Sequence, residues 1–164
     1  MFDGQRTGGG DLARSSFGDN ALDDEAVERL LDDIDRGHRP TGAVIIPVPR
    51  VAMTSVSEVR STVRDIVAAA LPPSQAFEVQ LVTSELVTNA IVHGEPPVRL
   101  LLHEGEDDVV VVAVFDRSAG RPRPDGDPVG GLRIVAGVAG ERWGVWRGRG
   151  GKWVWARVGS RSRA

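Results

Sequence analysis

Two proline pairs, Pro72-Pro73 and Pro96-Pro97, bracket the part of this 164-residue sequence that most restricts its fold. Proline has no amide proton to give and pushes the residue before it out of helical geometry, so a helix meeting such a pair must stop. Upstream of the first pair, Ser55-x-x-Glu58 has the form of a capping box, and Val59, Val63, Ile66, Val67 and Ala70 recur at helical spacing. This predicts a helix that ends before Pro72. Between the pairs, Ser74 is a candidate cap for a second helix running to about His93. Its apolar face is drawn from Phe77, Leu81, Val82, Leu86, Ala90 and Ile91, and Gly94 is a plausible C-cap.

The flanking segments read mostly as strands. Gly42 to Val51 predicts a short strand whose prolines suit a sheet edge. Val98 to His103 and Val109 to Phe115 predict a hairpin around the turn at residues 104–108. A Gly/Pro/Arg/Asp loop over 117–129 leads to Gly130-Gly131 and a short helix from Leu132 to about Ala139. Arg142 to Arg147 and Lys152 to Val158 predict a last hairpin, whose four tryptophans could lie on either face. Because helices and strands come in groups, the expected fold class is α+β: a two-layer α/β sandwich with a mostly antiparallel sheet and helices on one face.

The N-terminal region stands apart from this pattern. Residues 1–19 are rich in Gly, Ser and Asp and predict disorder. Asn20 then resembles a helix cap. Leu22, Val27, Leu30, Leu31 and Ile34 make an apolar stripe on a background of seven acids and two arginines between Ala21 and Arg36. After Glu141 no acid occurs, while seven basic residues do. An isolated helix this short is marginal in water, so it is expected either to order against a basic partner or the chain's own Arg-rich C-terminal region, or to stay a tethered, frayed tail. The expected layout is an extension over 1–41, one domain over 42–158 and a tail over 159–164.

Composition excludes several function classes. There is no cysteine, hence no disulfide and no thiolate metal site. A net charge of −3 gives no global signal for nucleic acid, and no apolar run approaches a membrane span. The first sixteen residues lack the apolar segment of a signal peptide, so the expected location is cytoplasmic, with no direct nucleic-acid or membrane contact. No Walker-type phosphate loop and no Ser-His-Asp arrangement is present.

Three elements carry candidate chemistry. Glu85 and Asn89 lie four residues apart and share a helix face. An Asn oxygen can ligate Mg²⁺, and a carboxylate one turn away can orient or deprotonate an attacking hydroxyl. A solvated polar pair has the same spacing. Asp116 ends an apolar strand, where a carboxylate can accept a hydrogen bond from an exocyclic amino group or simply start a turn. Gly130-Gly131 precedes a helix whose unpaired N–H groups suit a phosphate, and it is also ordinary loop chemistry. Arg117, Arg121 and Arg123 are further candidate phosphate contacts or solvated loop charges. His93 reads as structural at a helix end.

The series ELVTNAIVHG, a strand ending in Asp116, Gly130-Gly131-Leu132 before a helix, and a closing Trp-Gly hairpin resembles the histidine-kinase-like (GHKL) ATPase superfamily over roughly residues 42–158. Within it, the chain is similar to the anti-sigma-factor serine/threonine kinases of the RsbW-like branch, in their compact actinobacterial form. The resemblance implies ATP and Mg²⁺ as cofactors. It implies Glu85 as base or water-positioning carboxylate, Asn89 as Mg²⁺ ligand, Asp116 at the adenine amino group, and Gly130 and Gly131 at the phosphates, with Gly120 and Leu132 in the same nucleotide site. The implied partners are a sigma factor and an anti-sigma-factor antagonist protein, with homodimerisation left open. Where the superfamily has Asp-x-Gly-x-Gly, this chain has Asp116-Arg117-Ser118-Ala119-Gly120, and the loop to Gly130 is short. An ATP-binding switch without kinase activity, and an interaction domain that has lost nucleotide binding, remain alternatives. A histidine-kinase catalytic fragment is disfavoured because no phosphoacceptor-His helix precedes the domain.

Overall fold

The computed structural model describes residues 23–49, 54–105, 108–118 and 131–159. In chain order these form α1 (Asp24–Asp35), β1 (Ala43–Val48), α2 (Thr54–Ala70), α3 (Pro73–His93), β2 (Val98–Glu104), β3 (Val109–Asp116), α4 (Gly131–Ala139), β4 (Trp143–Gly148) and β5 (Gly151–Gly159). The five strands make one sheet in the order β1-β2-β3-β5-β4, antiparallel at every pairing. The last hairpin is thus inserted with β5, not β4, beside β3.

Side-chain alternation along the strands sorts the apolar residues into two cores. On one face, Leu100, Leu102, Val112, Val114, Val154 and Ala156 pack under α2, α3 and α4. Those helices contribute Val59 and Val63, Val79, Val82, Leu86 and Val87, and Leu132 and Val135. This is the α+β sandwich expected from the sequence. The interior residues of β3 are buried on both faces, which accounts for its unbroken apolar run.

The second core explains that double burial. Val27, Leu30, Leu31 and Ile34 of α1 cover Leu101, Val111, Ala113, Phe115, Trp153 and Trp155 on the far face. The helix set apart in sequence as an extension is therefore packed against the sheet. Asp24 pairs with Arg157 of β5 at 2.6 Å. The N-cap is Asp23, whose side chain accepts from the Ala26 amide at 2.8 Å; Asn20 lies outside the described residues. The helix ends at Gly37, φ +86°, where the amides of Gly37 and His38 donate to the carbonyls of Ile34 and Asp33. That left-handed closure is the one Gly permits without a Cβ clash. At the other end of this core, the Arg99 guanidinium lies 4.4 Å from the Phe115 ring centre and 5.4 Å from that of Trp153.

Several local expectations need correction. β1 spans six residues, not ten. Ser55 lies inside the first turn of α2 rather than capping it. α3 begins at Pro73 with Pro72 as its cap and no capping side chain, so Ser74 is not the cap. Proline at the first helical position costs nothing, because that amide has no intrahelical partner anyway. Phe77 is 65% exposed and not on the apolar face, whose N-terminal part is made by Ala76 and Val79 instead. Of the tryptophans, Trp153 and Trp155 belong to the α1 side with Trp146 packed against them, and Trp143 packs on the opposite core.

Candidate functional site

Asp116 is the last residue of β3, and the strand delivers its side chain to the helical face beside Val114. It is 3% exposed. Three groups surround it. Directly across the sheet on β5 stands Lys152, whose Nζ lies 3.2 Å from Oδ2 and 3.4 Å from Oδ1. The Ser118 amide donates to Oδ1 at 2.7 Å, a local turn that folds the chain back over the carboxylate. The Lys152 ammonium also donates to Ser118 Oγ. The third neighbour is the C-terminal end of α3: a Cβ built on Gly94 would lie 2.7 Å from Asp116 Cγ and 2.9 Å from Oδ2. Gly94 has φ −92° and ψ −175°. Close approach to Asp116, not a left-handed cap, is what requires a glycine there. The Arg117 amide donates to the Glu95 carbonyl at 2.8 Å and ties the strand end to the helix end.

Lys152, the ion-pair partner of Asp116, was not singled out from the sequence. Two signals were available. It is the only lysine among twenty basic residues, and alternation along β5 puts it on the side of Val154, Ala156 and Val158. A lysine 6% exposed on that face is desolvated unless paired, and Asp116 is its counter-ion. Removing one partner from such a pair costs about 3–5 kcal/mol. Ser118 is 7% exposed, and its hydroxyl is one of the two acceptors of this ammonium.

Glu85 and Asn89 are both half-buried, one turn apart on α3. At about 1.5 Å rise per residue, Asn89 sits roughly 7–8 Å along the helix axis from Gly94. Gly131 is the first residue of α4, which packs beside α3, and Leu132 is buried in the core at 7% exposure. Any contact of Leu132 with a ligand would therefore be through its backbone. Gly120, Gly130, Arg121 and Arg123 lie outside the described residues.

The arrangement of elements and the residues they align now match a known pattern. A family model described as histidine kinase-like ATPase domain matches residues 50–155. The chain belongs to the histidine kinase-like ATPase domain family. Members of the solved structures include a similar fold in the RsbU and RsbW domains of Rv1364c from Mycobacterium tuberculosis. That structure is 21% identical with a TM-score of 0.56, over 74% of this chain and 33% of the other. The chain thus spans about a third of the length of that relative, and at this identity the likeness is one of fold. No curated protein matches the chain in sequence.

A histidine kinase-like ATPase domain implies a nucleotide, and the Asp116 cluster can be tested for fit to one. A carboxylate offers about four acceptor positions. The Ser118 amide and the Lys152 ammonium take those at Oδ1 and one at Oδ2, which leaves Oδ2 able to accept from an exocyclic amino group. An acceptor of this kind is compatible with an exocyclic amino group such as that of adenine. Asn89 supplies an oxygen suited to Mg²⁺. Among the described residues, no group of three or more His, Asp or Glu could hold a metal by itself. No helix is long and apolar enough to cross a membrane among the described residues.

Proposed function

We propose that this chain is a cytoplasmic ATP-binding regulatory protein, an anti-sigma-factor serine/threonine kinase of the RsbW-like branch in its compact actinobacterial form. It would bind a sigma factor and phosphorylate a serine or threonine on an antagonist protein. The observation that carries the reading is the convergence on α3: Glu85 and Asn89 share one half-buried face, and the same helix ends against Asp116. Asp116 binds the adenine amino group and fixes the base. Asn89 holds Mg²⁺ through its side-chain oxygen. Gly131 and the backbone of Leu132, at the start of α4, face the phosphates, and the resemblance assigns Gly120 and Gly130 to the same nucleotide site. Glu85 orients the incoming hydroxyl and accepts its proton. ATP supplies the phosphoryl group and Mg²⁺ the neutralisation of its charge; the protein's part is positioning and a fixed electrostatic environment.

Titration calorimetry with Mg-ATP tests the reading. Wild type is expected to bind, Asp116→Ala to lose binding, and Asn89→Ala to weaken it in Mg²⁺. Glu85→Ala should bind nearly as wild type yet fail to transfer phosphate to an antagonist, by about 10²-fold or more. No heat with wild type refutes nucleotide binding, and transfer by Glu85→Ala at the wild-type rate refutes the role of Glu85. One observation favours a second reading, an interaction domain without nucleotide: the Asp116 carboxylate already has an internal cation.

A further inference from the structure

The two edges of the sheet are unequal. In an antiparallel strand, alternate residues point both backbone groups at the neighbouring strand, and the others point theirs away from it. The Glu104 amide donates to the Gly42 carbonyl, so Val44, Ile46 and Val48 face β2, while Ala43, Ile45 and Pro47 face outward. This edge is poorly suited to a further strand. The Ala43 amide already donates to the Pro40 carbonyl at 3.2 Å, and Pro47 has no amide to give. At the opposite edge, the Arg157 amide donates to the Arg142 carbonyl. Gly144 and Trp146 therefore face β5, and the amides and carbonyls of Trp143 and Val145 point out of the sheet. No proline interrupts β4, and Trp143, Gly144, Val145 and Trp146 are all half-buried. An apolar edge strand of this kind is a template for pairing.

We propose that the β4 edge is a homodimer interface, in which β4 pairs antiparallel with β4 of a second copy about a two-fold axis at Gly144. The sequence around Gly144 is complementary to itself in this register. Trp143 exchanges both backbone hydrogen bonds with Val145 of the second copy, and the axis repeats the exchange. Trp143 and Val145 share the helical face of the sheet. Each such pair thus sets an aromatic ring against a β-branched side chain, a favourable cross-strand combination. Gly144 meets its own mate at a closely spaced position of the ladder, where its lack of a side chain is already required: a Cβ there would lie 2.9 Å from the Trp155 ring. The exposed Glu141, just ahead of β4 and the last acid of the chain, comes opposite the exposed Arg147 of the second copy. Parallel, in-register pairing would instead bring like charges together. The inference is independent of the nucleotide reading.

Sedimentation equilibrium of the full chain reads the oligomeric state. Wild type is expected to show a monomer–dimer equilibrium. Val145→Pro removes an outward amide without breaking a bond to β5, and is expected to stay monomeric. Glu141→Arg and Arg147→Glu each set like charges opposite one another twice per dimer, and each should weaken the dimer by about tenfold or more. Mixed in equal amounts, these two variants regain opposite charges at both places and should dimerise as wild type does. A wild type that is monomeric at millimolar concentration would overturn the inference. That is the result expected if another segment of the chain, or an extended peptide of a different protein, takes the edge. A dimer that Val145→Pro leaves intact would overturn it too, by placing the contact elsewhere. Should Val145→Pro not fold, the charge variants decide: dimerisation of each alone as strong as that of wild type overturns the pairing.

Discussion

Asp35, in the last turn of α1, accepts a hydrogen bond from Trp153 Nε1 at 3.1 Å, and its other oxygen accepts from the Arg149 amide at 2.8 Å. A carboxylate at a helix C-terminus opposes the helix dipole, and α1 has no basic residue in its last turn. The two bonds to the β4–β5 hairpin offset that cost and fix the angle at which α1 crosses the sheet. Gly148 makes room for them, since a Cβ there would overlap the Asp35 carboxylate.

It follows that α1 belongs to the cooperative core. Leu31 is fully buried, so Leu31→Ala should destabilise the protein by about 2–5 kcal/mol. Urea denaturation checks this. A loss below about 0.5 kcal/mol, the size of a surface effect, would mean that the helix is not docked in solution.

Gly94 predicts a link between stability and ligand binding. Gly94→Ala places a methyl group against the Asp116 carboxylate and should cost about 1–3 kcal/mol, the range for overpacking. It should also weaken ATP binding, because the carboxylate must move. A variant as stable as wild type, or one that binds ATP unchanged, would contradict the packing described.

His103, half-buried on β2, makes a prediction in pH. Burial lowers its pKa from the ordinary 6.5, against a smaller opposing effect of Glu104. Its buried Nδ1 has no hydrogen-bond partner among the described residues. In the window between the lowered folded value and 6.5, the unfolded chain binds a proton that the folded protein does not. Stability therefore falls as pH drops through 6.5 and stops responding to this group below the folded pKa. His103→Gln should flatten this part of the profile, measured as denaturation midpoints between pH 7.5 and 5. An unchanged slope would show that His103 does not titrate differently on folding.

How far the sequence could be read is visible in particular elements. The alternating and continuous apolar runs of β2, β3 and β5 and the 3.6-residue spacing in α2 were legible, because period and turn residues are local properties. The spacing of Glu85 and Asn89 was legible for the same reason. Phe77 was misplaced, since an exposed aromatic at helical spacing looks the same in sequence as a buried one. The faces of the tryptophans were undetermined until the register Phe115↔Trp153 and Ala113↔Trp155 set them.

By itself, then, the sequence determined the α+β grouping and the order Glu85, Asn89, Asp116, because element type depends on neighbours along the chain. Only the tertiary structure decided that α1 closes the far face of the sheet, since a short amphipathic helix has no preference among surfaces until one complementary to it exists. The same is true of Lys152. Its position opposite Asp116, 36 residues away, depends on β5 pairing with β3 ahead of β4. An ion pair between distant residues leaves no periodic signal in sequence, because its distance is set by strand register.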